Sequence, residues 1–173
     1  MSCTVCDMVK EKQGLLFEDD QMAIMLSPKP AIAGHVILVP KQHAAILEQV
    51  PDLVMGKMFD KANKVSIAVF EALGAEGTNI IANNGVAAGQ SVNHFVVNVL
   101  PRRENDGLNF TWQPRQLSEE EMSTVELKLK DETKNIGVFE KEKPKPKEEP
   151  KPEELKEAEE EVNYLLEQLK RVP

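Results

Sequence analysis

Alternation along His94-Phe95-Val96-Val97-Asn98-Val99 constrains this chain more than any other stretch. Successive side chains of a strand point to opposite faces. The spacing therefore predicts a strand with Phe95, Val97 and Val99 on one wholly apolar face and His94, Val96 and Asn98 on the other, roughly 7 Å apart. The apolar face belongs against a core. The face carrying His94 and Asn98 is the candidate site, flanked by Gly89-Gln90-Ser91 before it and Pro101-Arg102 after it.

The elements before this strand follow from local signals. Gly14 precedes two strand candidates, Leu15–Glu18 and Met22–Leu26, and Asp19-Asp20 between them marks a hairpin turn. Ser27 to Gly34 carries two prolines and breaks regular structure ahead of the apolar run His35–Pro40. A short helical turn is expected near Ala44–Glu48. Pro51-Asp52 then opens a helix, with proline at its first position and acid in its first turn. Leu53, Val54, Met58, Ala62, Val65, Val69, Ala72 and Leu73 recur at helical spacing, and Gly74 supplies the stop. That stripe reads as core, packed on the sheet. Thr78–Asn83 is a further strand, leading into the loop Asn84–Gly89.

Beyond Pro101 the chain turns polar, and Trp112 is expected to anchor this extension on the domain surface. Ser118-Glu119-Glu120-Glu121 is a capping box for a helix running to about Asn135-Ile136-Gly137, striped by Met122, Val125, Leu129 and Thr133. Residues 141–154 hold four prolines and no apolar side chain, so they form an extended linker. In 155–173, Leu155, Val162 and Leu169 recur every seven residues, as do Ala158, Leu165 and Val172. This pattern predicts an amphipathic helix over 155–172 that needs a partner: its own domain, a twin subunit or another protein.

Composition narrows the function classes. A chain of 173 residues with 41% hydrophobic content suits one globular domain plus an extension. The net charge of −8 argues against nucleic-acid binding, which draws affinity from clustered Lys and Arg. No apolar run reaches the roughly 18 residues of a membrane span. The start Met-Ser-Cys-Thr-Val-Cys has no signal-peptide apolar segment. A cytoplasmic protein is expected. Its two cysteines, Cys3 and Cys6, form a Cys-x-x-Cys pair, which in such a compartment points to metal or redox chemistry before a structural disulfide. Two thiolates do not complete a tetrahedral site. His35, His43 and His94 are the available imidazoles, and spacing alone does not choose among them.

The Gly-Gln-Ser-Val-Asn-His-Phe-Val-Val-Asn-Val-Leu-Pro-Arg stretch resembles the active-site strand of the histidine triad (HIT) superfamily, whose pattern there is His-x-His-x-His. The Gly34-His35-Val36-Ile37-Leu38-Val39-Pro40-Lys41 run resembles another strand of the same family, and the resemblance covers residues 1–103. It implies an α+β fold, an antiparallel sheet with a long helix packed on it, here with a C-terminal helical extension. Four segments follow: a HIT-like domain over 1–103, an extension with the capped helix over 104–140, the linker 141–154 and the helix 155–173.

The family's middle histidine attacks phosphorus, and that position here is Val96, which carries no nucleophilic atom. Asn98 stands at the third histidine, and His35 would be the supporting histidine with nothing left to orient. Ser27 occupies the place of a ribose-binding aspartate. A serine cannot offer a charged bidentate acceptor. Asn83, Gly89, Gln90 and Ser91 match the family's phosphate-approaching loop, and a tight turn would also select them. Zinc-bearing members imply Cys3, Cys6, His43 and His94 as the four metal ligands.

The resemblance thus implies a non-catalytic, zinc-stabilised module that binds a purine nucleotide or serves as a scaffold. It implies a homodimer too, and the helix read from the seven-residue spacing over 155–172 is expected to associate within that dimer. The other reading is a nucleotide hydrolase or transferase, acting on a dinucleoside polyphosphate or nucleoside phosphoramidate, whose triad is altered naturally or by engineering.

Overall fold

The computed structural model describes residues 3–135. In chain order the elements are α1 (Thr4–Glu11), β1 (Leu15–Glu18), β2 (Met22–Leu26), β3 (Val36–Pro40), α2 (Asp52–Leu73), β4 (Gly77–Ala82), β5 (Val97–Arg102) and α3 (Glu119–Glu132). Short 3-10 turns sit at Leu47–Gln49, Val86–Ala88 and Thr133–Asn135. The five strands form one sheet in the order β1-β2-β3-β5-β4, antiparallel at every pairing. This is the α+β sheet and long helix expected from the sequence. The linker 141–154 and the helix 155–172 lie outside the described residues.

The first hairpin forms because Asp19 replaces backbone partners at the turn: its carboxylate accepts from the amides of Gln21 and Met22, both at 2.9 Å. Those two bonds hold the Asp19 carboxyl below its usual range against the opposing effect of burial. The β1–β2 register slips by one residue between Leu15 and Phe17. Gly34 cannot be replaced, since its φ of +84° is a left-handed conformation and any Cβ would run into Leu73 and Pro101. It lets the chain turn tightly into β3.

Each face of the sheet has its own cover. On one face Met22, Ile24, Val36, Leu38, Phe95, Val97 and Val99 pack against Met58, Ala62 and Val69 of α2. On the other, Ala23, Met25, Ile37 and Val39 meet Val5 of α1, with Met8, Val9, Val92 and Val96 at the margin. The split follows the side-chain period of two.

Four expectations are corrected. First, β5 begins at Val97, not His94. Its partners stop there, Leu38 on β3 and Ala82 on β4 both facing Val97, so the amide of Phe95 turns instead to the carbonyl of Ala44 at 2.7 Å. The alternation of faces nevertheless continues back to His94. Second, Pro51 is the N-cap of α2 rather than its first residue, because its ψ of 140° is extended while its carbonyl already accepts from Met55. Leu53, Ala72 and Leu73 of the expected core stripe remain exposed. Third, Trp112 is 84% exposed and anchors nothing. The extension is instead held by Arg102, which pairs with Asp106, donates to the Leu108 carbonyl and lies 5.2 Å from the Phe110 ring centroid. Fourth, α1 was not expected at all. The capping box of α3 is formed as read, Ser118 and Glu121 satisfying each other's backbone amides, but Met122, Val125 and Leu129 stay exposed.

Candidate functional site

Cys3 is the N-cap of α1 and Cys6 lies three residues on, so both thiols leave the helix on one side. His43 comes from the loop after β3 and His94 from the approach to β5. The four ligand atoms lie within 4.8 Å of one another. His94 Nδ1 is 3.5 Å from Cys3 Sγ and 3.6 Å from Cys6 Sγ, and His43 Nδ1 is 3.4 Å from Cys6 Sγ. Bonds of the usual length to a tetrahedral zinc would set sulfur and nitrogen ligands about 3.6 Å apart. These residues could hold a metal ion.

The surroundings prepare His94 for that role. Its Nε2 lies 3.0 Å from the Pro40 carbonyl, a partner that can only accept, so Nε2 carries the proton and Nδ1 presents a lone pair to the thiols. Burial, with the nearby His43 adding to it, pushes the His94 pKa down and favours the neutral imidazole that binds metals. Burial and the adjoining Cys3 thiol push the Cys6 thiol up. Loading a metal would therefore release protons.

Beside this cluster, on the face opposite α2, opens a cavity of about 430 Å³. Ser27, His35, Val96 and Asn98 line it, as do Asn83, Gly89, Gln90 and Ser91 of the glycine-bearing loop. The structure thus brings together every residue that the sequence nominated for a nucleotide. Their hydrogen bonds distinguish them. The Gln90 amide is spent within the protein, its Nε2 donating to the Ala45 and Val92 carbonyls and its Oε1 accepting from Gly85. It shapes the loop. Ser27 Oγ accepts weakly from the Lys29 amide at 3.3 Å, Asn83 spans to the Gly89 carbonyl at 3.4 Å, and Ser91 is exposed.

His35 is not among the metal-site residues. Its Nδ1 accepts from the Ala31 amide at 3.2 Å, which leaves Nε2 to donate to Asn98 Oδ1 at 3.1 Å. Asn98 Nδ2 in turn donates to the Ile81 carbonyl at 3.1 Å. Both ring nitrogens are occupied, and burial lowers the His35 pKa despite the opposing bond from Asn98. Val96 sits between these two polar groups and the His94 end, offering only methyl groups to the cavity.

Several lining residues escaped the sequence reading. Thr4, Val5 and Met8 form one wall, and among the described residues Lys29 is the single fully charged side chain lining the cavity. Among the described residues, no carboxylate lines it. Val5, Met8 and Val9 share a helical face, but over eight residues that spacing is too short to announce the wall.

A family model described as "HIT domain" matches residues 9–105. The chain belongs to the HIT family. An adenylylsulfatase of Arabidopsis thaliana is 34% identical over 61% of this chain and 55% of its own length, so the match spans little more than half of that relative. An adenosine 5'-monophosphoramidase of Schizosaccharomyces pombe is 30% identical over 72% of this chain and 93% of its own. Among solved structures, a zinc-bound histidine triad family protein from Mycobacterium smegmatis is 30% identical with a TM-score of 0.59, covering 77% of this HIT chain and 98% of that one. No helix among the described residues is long and apolar enough to cross a membrane.

Proposed function

We propose that this HIT-family chain is a non-catalytic module that binds a purine nucleotide, or acts as a scaffold, on a zinc-stabilised core. Val96 carries the reading. Covalent nucleotidyl transfer needs an attacking lone pair on the cavity floor, and an isopropyl group has none. The rest of the cavity still suits an anion with an apolar part: Lys29 and the backbone of the Gly89 loop for charge, and Val5, Met8, Ile37, Val92 and Val96 for the remainder. Ser27 offers a single weak hydrogen bond where a ribose would ask for more.

Zinc is the metal that the donor set fits, two thiolates and two imidazoles filling all four positions and leaving none for water. Such a site stabilises the fold. Reduced thiols in that role agree with a cytoplasmic location. We place the association of two copies at the apolar side chains that α2 leaves exposed, Phe59, Ile67 and Phe70.

The relatives named as an adenylylsulfatase and a monophosphoramidase favour a second reading, a nucleotide hydrolase using water. A general base would then be required. His35 is a poor one, with Nδ1 accepting from Ala31 and Nε2 donating to Asn98. Calorimetric titration with AMP and a dinucleoside polyphosphate, beside a phosphatase-coupled turnover assay, separates the readings. Binding without turnover is expected, with activity gained in Val96→His or in Val96→His/Asn98→His. Turnover by the unaltered protein would overthrow the non-catalytic reading.

A further inference from the structure

We infer that α1 is a detachable wall of the cavity, held in place by the Cys3, Cys6, His43 and His94 cluster, so that filling the cluster and filling the cavity favour the same arrangement. The identity of the cavity's ligand rests on the nucleotide reading above; the wall itself does not.

Sequence interleaving is the first observation. Thr4 and Val5 lie between the two cysteines, Met8 follows within one turn, and all three face the cavity. His94 belongs to both places, lining the cavity while its Nδ1 faces the thiols. Val92, two residues before it, also lines the cavity. Cys3, Cys6 and His94 therefore cannot be displaced without disturbing a cavity residue on the same short segment; His43 stands on a loop that lines none of the cavity and serves only to anchor.

The second observation is that, beyond the cluster, α1 is held by the smaller of the two cores alone, Val5, Met8 and Val9 lying on Ala23, Met25, Ile37 and Val39. A helix of eight residues is far below the length that is stable alone in water. Val5 is its one fully buried side chain, and Cys3 at the N-cap supplies no side-chain cap. The larger core, between α2 and the opposite face of the sheet, contains no residue of α1. Opening α1 would therefore cost little of the main core, as expected of a unit that unfolds locally. The cluster ties this weak element to the loop after β3 and to the approach to β5.

Coupling between two sites is reciprocal. A metal that fixes α1 should tighten a cavity ligand, and a ligand packed on Thr4, Val5 and Met8 should tighten the metal by the same factor. The test compares zinc-loaded and chelator-stripped full-length protein by hydrogen exchange and by AMP titration. Stripping should deprotect peptides spanning residues 3–12 and 91–96 while α2 peptides keep their protection, and AMP affinity should fall at least tenfold. Unchanged exchange in 3–12 would overturn the inference. So would equal deprotection of α2, which would make the cluster a support of the whole fold. Loss of α1 protection with unchanged AMP affinity would show that the wall does not meet the ligand, and would also overturn it. If AMP binds neither form, the nucleotide reading fails, and the exchange pattern, which requires no ligand, still decides the wall. Val5→Ala supplies a variant outside the cluster: zinc-loaded, it should keep α1 protected, and deprotection there would assign the anchoring to Val5 instead.

Discussion

His35 and His94 line the same cavity, both buried and both with pKa values lowered by burial, yet they are prepared for opposite fates. His94 spends its Nε2 proton on the Pro40 carbonyl and keeps a lone pair aimed at two thiols. His35 spends its lone pair on the Ala31 amide and its proton on Asn98. What an imidazole can do is decided by the partner of its other nitrogen. One remains available as a ligand and the other is a brace between β3 and β5.

The contrast breaks first at His94. His94→Ala should abolish stoichiometric zinc binding and destabilise the protein by about 3–5 kcal/mol, the usual range for deleting a buried ring. Metal content and chemical denaturation check this, and full metal occupancy in the variant would remove His94 from the cluster. Asn98→Leu tests the brace. It leaves the buried His35 Nε2 proton without its partner and removes the side-chain bond to the Ile81 carbonyl, at a cost of about 1–3 kcal/mol. Adding His35→Phe should recover part of that loss, a non-additivity that a double-mutant cycle would read.

Acid titration sharpens the contrast further. The unfolded chain protonates His35 near its ordinary 6.5, whereas the folded one resists because the ring is buried. Stability from this group is therefore fully present above about pH 6.5 and declines as pH falls below it. His35→Gln should flatten the dependence of the denaturation midpoint on pH between 7.5 and 5.5; an unchanged slope would show that His35 titrates normally. Smallest is Lys29→Gln, on the loop that leads to His35. An exposed charge contributes about 0.2–1 kcal/mol, so AMP affinity should drop by no more than about fivefold, and less at high salt.

Much of this was legible before any coordinates. The hairpin Leu15–Leu26 and the helix ending at Gly74 are local matters of turn chemistry and period, and the structure places them as read. The start of β5 was not, because alternation at His94 and Val96 is a property of the chain while a ladder needs partners, and those end opposite Val97. Residue spacing left three histidines open to the cysteines. Only the path of the chain after β3 carries His43 to Cys6 and turns His35 toward Asn98. The α1 wall was missed since eight residues carry too few periods to announce a helix. Trp112 misled because a large aromatic usually finds a surface to cover, and here Arg102 and Asp106 fix the extension before the chain reaches it.

The division of residues 95–99 between two neighbourhoods has a further consequence. Phe95, Val97 and Val99 answer to α2 and Asn98 to His35 and Ile81, while Val96 between them faces the cavity. Selection can therefore rewrite the chemistry at Val96 while its neighbours preserve the architecture. A lineage carrying this strand could lose a reaction, or acquire another, without passing through an ancestor that fails to fold.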